Sequence, residues 1–293
     1  MSLRRPDPSR EIDIDLARRT VLETASGETV ALASDYPGGW RIKRHNHTRG
    51  QLMNALDGVV VVVTDAGRWI IPPQHGLWIP AGVFHEVEIL GDVKMRSVYV
   101  TPGAIAGLPD GVRVVAITDL MRALIIEAVT LPIDPEPTSR AGLVMALMLR
   151  EIPRLPEQPL GLAMPSDPKL AALYRRFIEA PSPTARIDDW AEALAMSRRA
   201  FTRTFRRETG LSLTEWRQQA SLFAALPRLA RGEAVTRVAV DLGYESVAAF
   251  TTMFRRMLGA PPRRYLSGHE SRDPDRSRAA GSKIDQTGAL RLP

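Results

Sequence analysis

The chain has 293 residues, 44% hydrophobic and 25% charged, which is enough for two domains with separate cores and too apolar for a disordered chain. It has no cysteine, which excludes disulfides, thiolate metal sites and a cysteine nucleophile. The formal net charge of +6 is uneven: residues 167–266 hold 17 basic against 10 acidic side chains and the remainder 22 against 23, so the positive excess that suits a polyanion lies in one block.

Residues 1–10 are polar, contain Pro6 and Pro8 and lack the apolar segment of a secretory signal. The run Val59–Thr64 is too short to span a bilayer, so a cytoplasmic protein with no membrane partner is expected. Short apolar runs then alternate with turn residues: Thr29–Ala33, Trp40–Lys43, Gln51–Leu56, Gly58–Thr64, Arg68–Ile71, Gly76–Ile79, His85–Leu90, Lys94–Val100 and Arg113–Ala116. Breaks at Pro37-Gly38-Gly39, Asp65-Ala66-Gly67, Pro80-Ala81-Gly82 and Leu90-Gly91-Asp92 separate them. This pattern predicts a β-sandwich or small barrel over residues 1–117. From 118 to 151 the apolar period becomes helical, with Leu120, Leu124, Ile125 and Ala128 as one stripe and Leu143, Leu147 and Met148 as another. Such stripes pack on the parent domain or pair two protomers. Five prolines between Pro153 and Pro168 predict a linker over 152–166. Residues 167–266 read as helical and 267–293 as a disordered tail, so the fold class is α+β in two domains.

The helical block contains two similar halves. In the first, a helix bearing Trp190, Ala191 and Leu194 ends in a turn, Ser197 is placed to cap the next helix, and Phe201 and Phe205 face inward together at i and i+4. Arg198, Arg199, Thr202, Arg203 and Arg206 are left for other faces, and Gly210 closes the helix. In the second, Val238, Ala239 and Leu242 are inward, Gly243 turns, Ser246 caps, Phe250 and Phe254 repeat the spacing and Gly259 closes. The segment 213–229 is long enough for a connecting helix, which Pro227 should kink or end early. Two helix-turn-helix units on one connector fit successive major grooves, about 34 Å apart.

Over residues 167–266 these features resemble the AraC/XylS family of regulators. The resemblance is carried by Ser197-Arg198-Arg199, Phe205-Arg206-Arg207-Glu208-Thr209-Gly210-Leu211-Ser212, Asp241-Leu242-Gly243-Tyr244 and Phe254-Arg255-Arg256-Met257-Leu258-Gly259, followed by Pro262 and Tyr265. It implies sequence-specific binding of double-stranded promoter DNA, with RNA polymerase a further partner. It aligns Arg199, Thr202 and Arg203 with base readers, Arg203 foremost, and gives Arg198, Arg206 and Arg255 to phosphates. The second reading helix presents Ser246, Val247, Ala248, Ala249 and Thr252, where polar readers are usual, so thymine methyls or backbone alone are its expected contacts. Ser221 stands where the family usually has an arginine.

Four of the five histidines lie between residues 45 and 85. Gly39, His45-Asn46-His47, Gln51 and Gly58, followed by Pro80-Ala81-Gly82-Val83-Phe84-His85, are similar to the cupin motifs, with Gln51 for the usual glutamate and Ile89 for an asparagine. Strand alternation puts His45 and His47 on one face. The resemblance implies a barrel mouth in which His45, His47, His85 and, weakly, Gln51 hold one divalent transition metal such as Zn, Ni, Fe or Mn. The alternative is an effector pocket without metal, in which the histidines bond a ligand or one another. His75 lies outside the motif and is expected at the surface. Trp40, Trp69 and Trp78 are read as core or as the lining of an effector pocket.

The leading reading is a regulator, not an enzyme, whose barrel senses a small molecule or metal; a homodimer through 118–151 is plausible. A metal-dependent cupin oxygenase or isomerase fused to a DNA-binding domain, and an architectural DNA-binding protein with an inert barrel, remain open.

Overall fold

The computed structural model describes residues 11–13, 16–158, 160–179 and 186–267; the tail expected to be disordered lies outside these, apart from Ser267. The chain divides into two compact units whose main boundary lies between Gly161 and Leu162, with Ala66–Arg68 grouped with the C-terminal unit.

The N-terminal unit opens with β1 (Glu11–Ile12) and α1 (Leu16–Thr24), neither expected from the sequence. It continues with β2 (Thr29–Tyr36), β3 (Arg41–His45), β4 (Gly50–Thr64), β5 (Gly67–Ile71), β6 (His75–Ile79), β7 (His85–Val100) and β8 (Arg113–Ala116). The order β1-β3-β7-β4-β6-β8 makes a mainly antiparallel sheet in which β7 also pairs β2. Four predicted strands fuse into two. The gap between Gln51–Leu56 and Gly58–Thr64 and the break expected at Leu90-Gly91-Asp92 are irregularities inside β4 and β7, where the register slips at Ala55/Asp57 and again at Asp57/Val59. Gly58 sits there at φ 78°, and a Cβ on it would collide with the Asp92 carbonyl. Bulges bend a strand without ending it.

α2 (Asp119–Ala128) and α3 (Arg140–Glu151) are capped by Thr118 and Ser139. The α2 stripe keeps Leu124, Ile125 and Ala128 inward as expected, with Met121 in place of Leu120, and the α3 stripe keeps Met148 but turns Leu143 and Leu147 outward. Met121, Leu124, Ile125, Met145, Met148 and Leu149 pack on Leu52, Trp78, Val98 and Val115, whereas Leu120, Leu143 and Leu147 are exposed. The methionines take the inward places because the sheet, not the leucine spacing, sets which arc is covered. The expected linker is a folded part of the sheet unit at its start. A 3-10 turn over Ile152–Arg154 leads into β9 (Glu157–Gln158), which pairs β8, and Ile152, Leu155 and Leu160 are buried. Proline bars a helix there but allows an edge strand. A short β10 (Gly161–Ala163) follows.

Arg49 ties the unit's start together. Its guanidinium donates to the carbonyls of Leu22 (3.0 Å), Ala25 (2.6 Å) and Gly27 (2.7 Å) and to the Thr101 hydroxyl (2.8 Å). A cation at the C-terminal end of α1 satisfies carbonyls the helix leaves open. Leu22 is thereby seated on Val30, Leu32 and Tyr99.

The C-terminal unit is mainly helical: α4 (Pro168–Glu179), α5 (Ile187–Ala193), α6 (Arg198–Thr209), α7 (Leu213–Ala230), α8 (Val235–Asp241), α9 (Val247–Leu258) and α10 (Pro262–Ser267). Trp190, Phe201, Phe205, Trp216, Tyr174 and Phe177 share the first core. In the second half Tyr244 meets Phe250, and Phe254 meets Tyr265, edge to face, with Phe250 and Phe254 tilted against one another. α7 starts with a reciprocal Ser212/Glu215 cap and runs through Pro227 to Ala230 instead of ending early. Pro227 falls in the last turn, where it removes the backbone donor to the Phe223 carbonyl without ending the helix.

The two halves share one turn geometry. Met196 N–H bonds the Ala191 carbonyl at 2.8 Å, and Tyr244 N–H bonds that of Ala239 at 3.0 Å. The left-handed residue is Gly243 (φ 72°) in the second turn but Ala195 (φ 54°) in the first. A Cβ in that region costs about 1–2 kcal/mol, partly offset by the lower unfolded-state entropy of alanine, about 0.4–1 kcal/mol. Ala195→Gly is therefore expected to stabilise the protein by about 0.5–1 kcal/mol, read as a higher urea midpoint at unchanged slope. A lower midpoint would remove strain at this turn from the account.

Candidate functional site

Two constellations stand out, one in each unit. In the sheet unit, β3 and β7 pair so that His45 lies directly opposite His85, and His47 follows two residues beyond His45. The three rings gather with centroids 4.3 to 5.2 Å apart, and their ligand atoms lie within 4.8 Å of one another. His45 Nδ1 is 2.7 Å from the Lys43 carbonyl and His85 Nδ1 is 2.9 Å from that of Val83. Nδ1–H on both leaves Nε2 as the free lone pair, and the buried Nε2 atoms of His47 and His85 have no hydrogen-bond partner. Burial, helped by His45 and His85, pulls the His47 imidazole down to about 2. Burial with the nearby His45 takes His85 to about 4, and burial lowers His45 as well. All three are neutral at pH 7, the form that ligates metal.

Gln51 lies on the same inner face. Its Nε2 donates to Ser97 Oγ (3.0 Å) and Tyr99 OH (3.2 Å), which leaves its buried Oε1 without a partner. Three neutral imidazoles and one amide oxygen fit a borderline divalent transition metal by donor type. α1 contributes Arg18, which no spacing in the sequence could associate with the histidines. Its guanidinium donates to Tyr36 OH at 2.9 Å, lies 5.8 Å over the Tyr99 ring, and weighs against protonation of His45 and His47.

The tryptophans do not join this cluster. Trp78 pairs with Leu52, not Gln51, so alternation turns it to the opposite face among α2 and α3, where its Nε1 bonds the Pro109 carbonyl at 2.8 Å. Trp69 packs against Gly161, and Trp40 is half-buried in the turn before β3. Trp78 therefore lies apart from the histidine face. His75 is buried, not surface, with Nδ1 3.0 Å from the Pro73 carbonyl.

In the helical unit, Ser197 and Ser246 cap α6 and α9 through the amides of Ala200 (3.3 Å) and Ala249 (3.1 Å). Burial of Phe201 and Phe205 turns Arg199, Thr202, Arg203 and Arg206 to solvent along one side of α6. Arg199 and Arg203 make no ion pair among the described residues, whereas Arg198 is held loosely by Asp188 at 3.7 Å. Thr202 Oγ1 is bonded to the Arg198 carbonyl at 2.8 Å. On α9, Ala248, Thr252 and Arg255 are exposed and Val247 is half-buried, so this face is far less polar. Two cations went unremarked in the sequence beyond their place in motifs: Arg207, exposed and 3.1 Å from Glu208, and Arg256, bonded to Gln218 at 2.5 Å.

A ligand-chamber sheet followed by paired, capped helix-turn-helix units defines a sensor-type DNA-binding regulator. Comparison with known proteins agrees. Residues 29–152 match the AraC-like ligand binding domain and residues 190–268 a helix-turn-helix domain. The HTH-type transcriptional regulator NimR of Escherichia coli (strain K12) is 35% identical over 225 residues, covering 76% of this chain and 81% of that protein. The HTH-type transcriptional regulator RipA of Corynebacterium glutamicum is 30% identical over 115 residues, 39% of this chain and 34% of that one. The DNA-binding domain of the global transcriptional factor AdpA, solved with a target DNA, is 30% identical, with 36% of this chain and 96% of that one covered and a TM-score of 0.33. The chain belongs to the AraC family of DNA-binding transcriptional regulators and carries the family's N-terminal ligand-binding domain. Among the described residues, no helix is long and apolar enough to cross a membrane.

Proposed function

We propose that this protein is a one-component cytoplasmic regulator, not an enzyme, in which the sheet unit takes a small-molecule effector beside a divalent transition metal and α6 reads the operator. The outward row Arg199, Thr202, Arg203 and Arg206, opposite two buried phenylalanines, supports the DNA assignment. Arg203 is the principal base reader, because a free guanidinium suits the paired acceptors of guanine. Arg198, Arg206 and Arg255 hold phosphates, and Val247, Ala248 and Thr252 make apolar or backbone contacts. Effector binding shifts DNA affinity only through different affinities for two states of the chain. Arg203→Ala should cost about 1–3 kcal/mol on a duplex selected from a random pool by the full-length protein, and little on unrelated duplex. Equal losses on both duplexes would return Arg203 to the phosphate class.

The metal rests on the buried, unpartnered Nε2 atoms of His47 and His85 beside His45 and the free Gln51 Oε1. His45, His47 and His85 would hold the ion, which would supply a Lewis-acidic anchor for an electron-donating effector. Elemental analysis of protein dialysed against Zn, Ni, Fe or Mn should find about one ion per chain, and His45→Ala with His47→Ala should abolish it. Stoichiometric metal retained in the double variant would place the ion elsewhere.

A homodimer through α2 and α3 is supported by the exposed Leu120, Leu143 and Leu147 on helices whose other arc is buried. Leu143→Glu with Leu147→Glu should halve the mass measured by light scattering; an unchanged mass would sever dimerisation from this face.

A further inference from the structure

A cleft of about 340 Å³ lies in the C-terminal unit between α7 and α9, and neither half of the helix-turn-helix pattern requires it. Arg217, Gln218 and Ser221 line it from α7, Thr252 and Arg256 from α9, and Tyr244 from the turn before α9. None of its nine lining residues carries a carboxylate. Two guanidiniums therefore face one space, and neither has an ion-pair partner among the described residues. Arg217 is half-buried, its Nε is buried without a hydrogen-bond partner, and desolvation lowers its pKa. Arg256 has only the neutral amide oxygen of Gln218. Ser221 and Tyr244 bring hydroxyls, already hydrogen-bonded to one another. Arg256 is exposed, but partly burying the uncompensated Arg217 is costly unless an anion completes the set, and a guanidinium fork matches a tetrahedral oxyanion.

We propose that this cleft is an oxyanion site of the phosphate class, and that its occupant is a backbone phosphate of the DNA bound by α9. The proposal rests on the DNA-reading assignment above and deepens it. The source follows from position: Thr252, one of the exposed residues of α9, forms part of the cleft wall, and Arg256 follows it by one turn. A phosphate here would lie beside the α9 reading face. It would also account for how a helix presenting Val247 and Ala248 grips DNA, since phosphate contacts position a protein without reading sequence.

The test uses the full-length chain on two duplexes, one selected from a random pool and one unrelated, with Kd measured from about 50 to 200 mM salt. Arg256→Ala removes one guanidinium. Ser221→Glu puts a carboxylate within the cleft, where it neutralises the arginines without removing them. Each variant should flatten the slope of log Kd against log salt by about one unit, because one phosphate contact is worth roughly that much. Each should weaken both duplexes by a similar factor and leave base preference intact, with a melting temperature unchanged or, for Ser221→Glu, raised. Arg154→Ala in the sheet unit makes the same change of net charge and should leave the slope alone. A slope unchanged by Arg256→Ala overturns the proposal, as does an equal flattening by Arg154→Ala, which would mark a general field effect. Inorganic phosphate alone is the second probe. If it raises the melting temperature of the wild type and not of Arg256→Ala while the slopes stay equal, the cleft serves a free anion and the DNA source is overturned. A wild type that binds both duplexes equally sinks the reading of sequence-specific binding itself, whereas preference lost in Arg203→Ala with slopes unchanged in the cleft variants sinks only the cleft.

Discussion

Two phenylalanines one turn apart on a twelve-residue helix cannot both be buried unless that helix adopts one rotation, and each half of the helical unit imposes this condition. Phe201 and Phe205 on α6, and Phe250 and Phe254 on α9, are each at most 1% exposed. Full burial of one such side chain is worth about 1.5–3 kcal/mol. A rotation that hid the arginines would expose both rings and also bury charge at a further cost. The direction of the basic face is thus a consequence of packing. The serine caps set where each helix begins, and the left-handed turn residues set the angle at which it leaves the preceding helix.

The sheet unit is governed by a comparable either-or rule, the alternation of side chains across a strand. Gln51, Tyr99 and Ser97 share one face with the histidine cluster, and Leu52, Val98 and Trp78 share the other with α2 and α3. The polar inner group is expensive to build. Burial lowers the pKa of all three imidazoles, and two ring nitrogens and an amide oxygen are left with unused lone pairs. Unpaired buried acceptors are uncommon in natural proteins and concentrate where something else binds.

Readings that depend on local chemistry were legible before the structure. The capping serines, the closing glycines, the phenylalanine spacing and the shared face of His45 and His47 follow from period and from backbone stereochemistry. Readings that depend on register or on distant partners were not. No local signal says that Trp78 pairs with Leu52 and not Gln51, and that single step moves it from the ligand face to the helix face. Likewise α1 places Arg18 near histidines some thirty residues away in sequence, an encounter set by the Arg49 clamp and the seating of Leu22. Prolines at 153, 156 and 159 read as a linker because their shared local effect is to forbid helix. The apolar Ile152, Leu155 and Leu160 between them were the stronger signal. In α3, the expected stripe was right at Met148 and wrong at Leu143 and Leu147, because methionine fills a core position as readily as leucine and the sheet beneath took Met145.

The two helix-turn-helix halves share a scaffold and differ in surface. Positions 199, 202, 203 and 206 of α6 correspond, by the constant offset between the paired phenylalanines, to 248, 251, 252 and 255 of α9. Arginine, threonine, arginine and arginine become alanine, threonine, threonine and arginine. The first half can thus form several directional, charge-assisted bonds where the second has one charged group on that row. Cationic character on the second half lies instead one residue further round, at Arg256, and behind it on the connector at Arg217. Directional groups facing bases carry sequence information, and cations set against the backbone carry affinity. On the function proposed above, base reading would fall to the first half, while both halves would contribute cations to the phosphates.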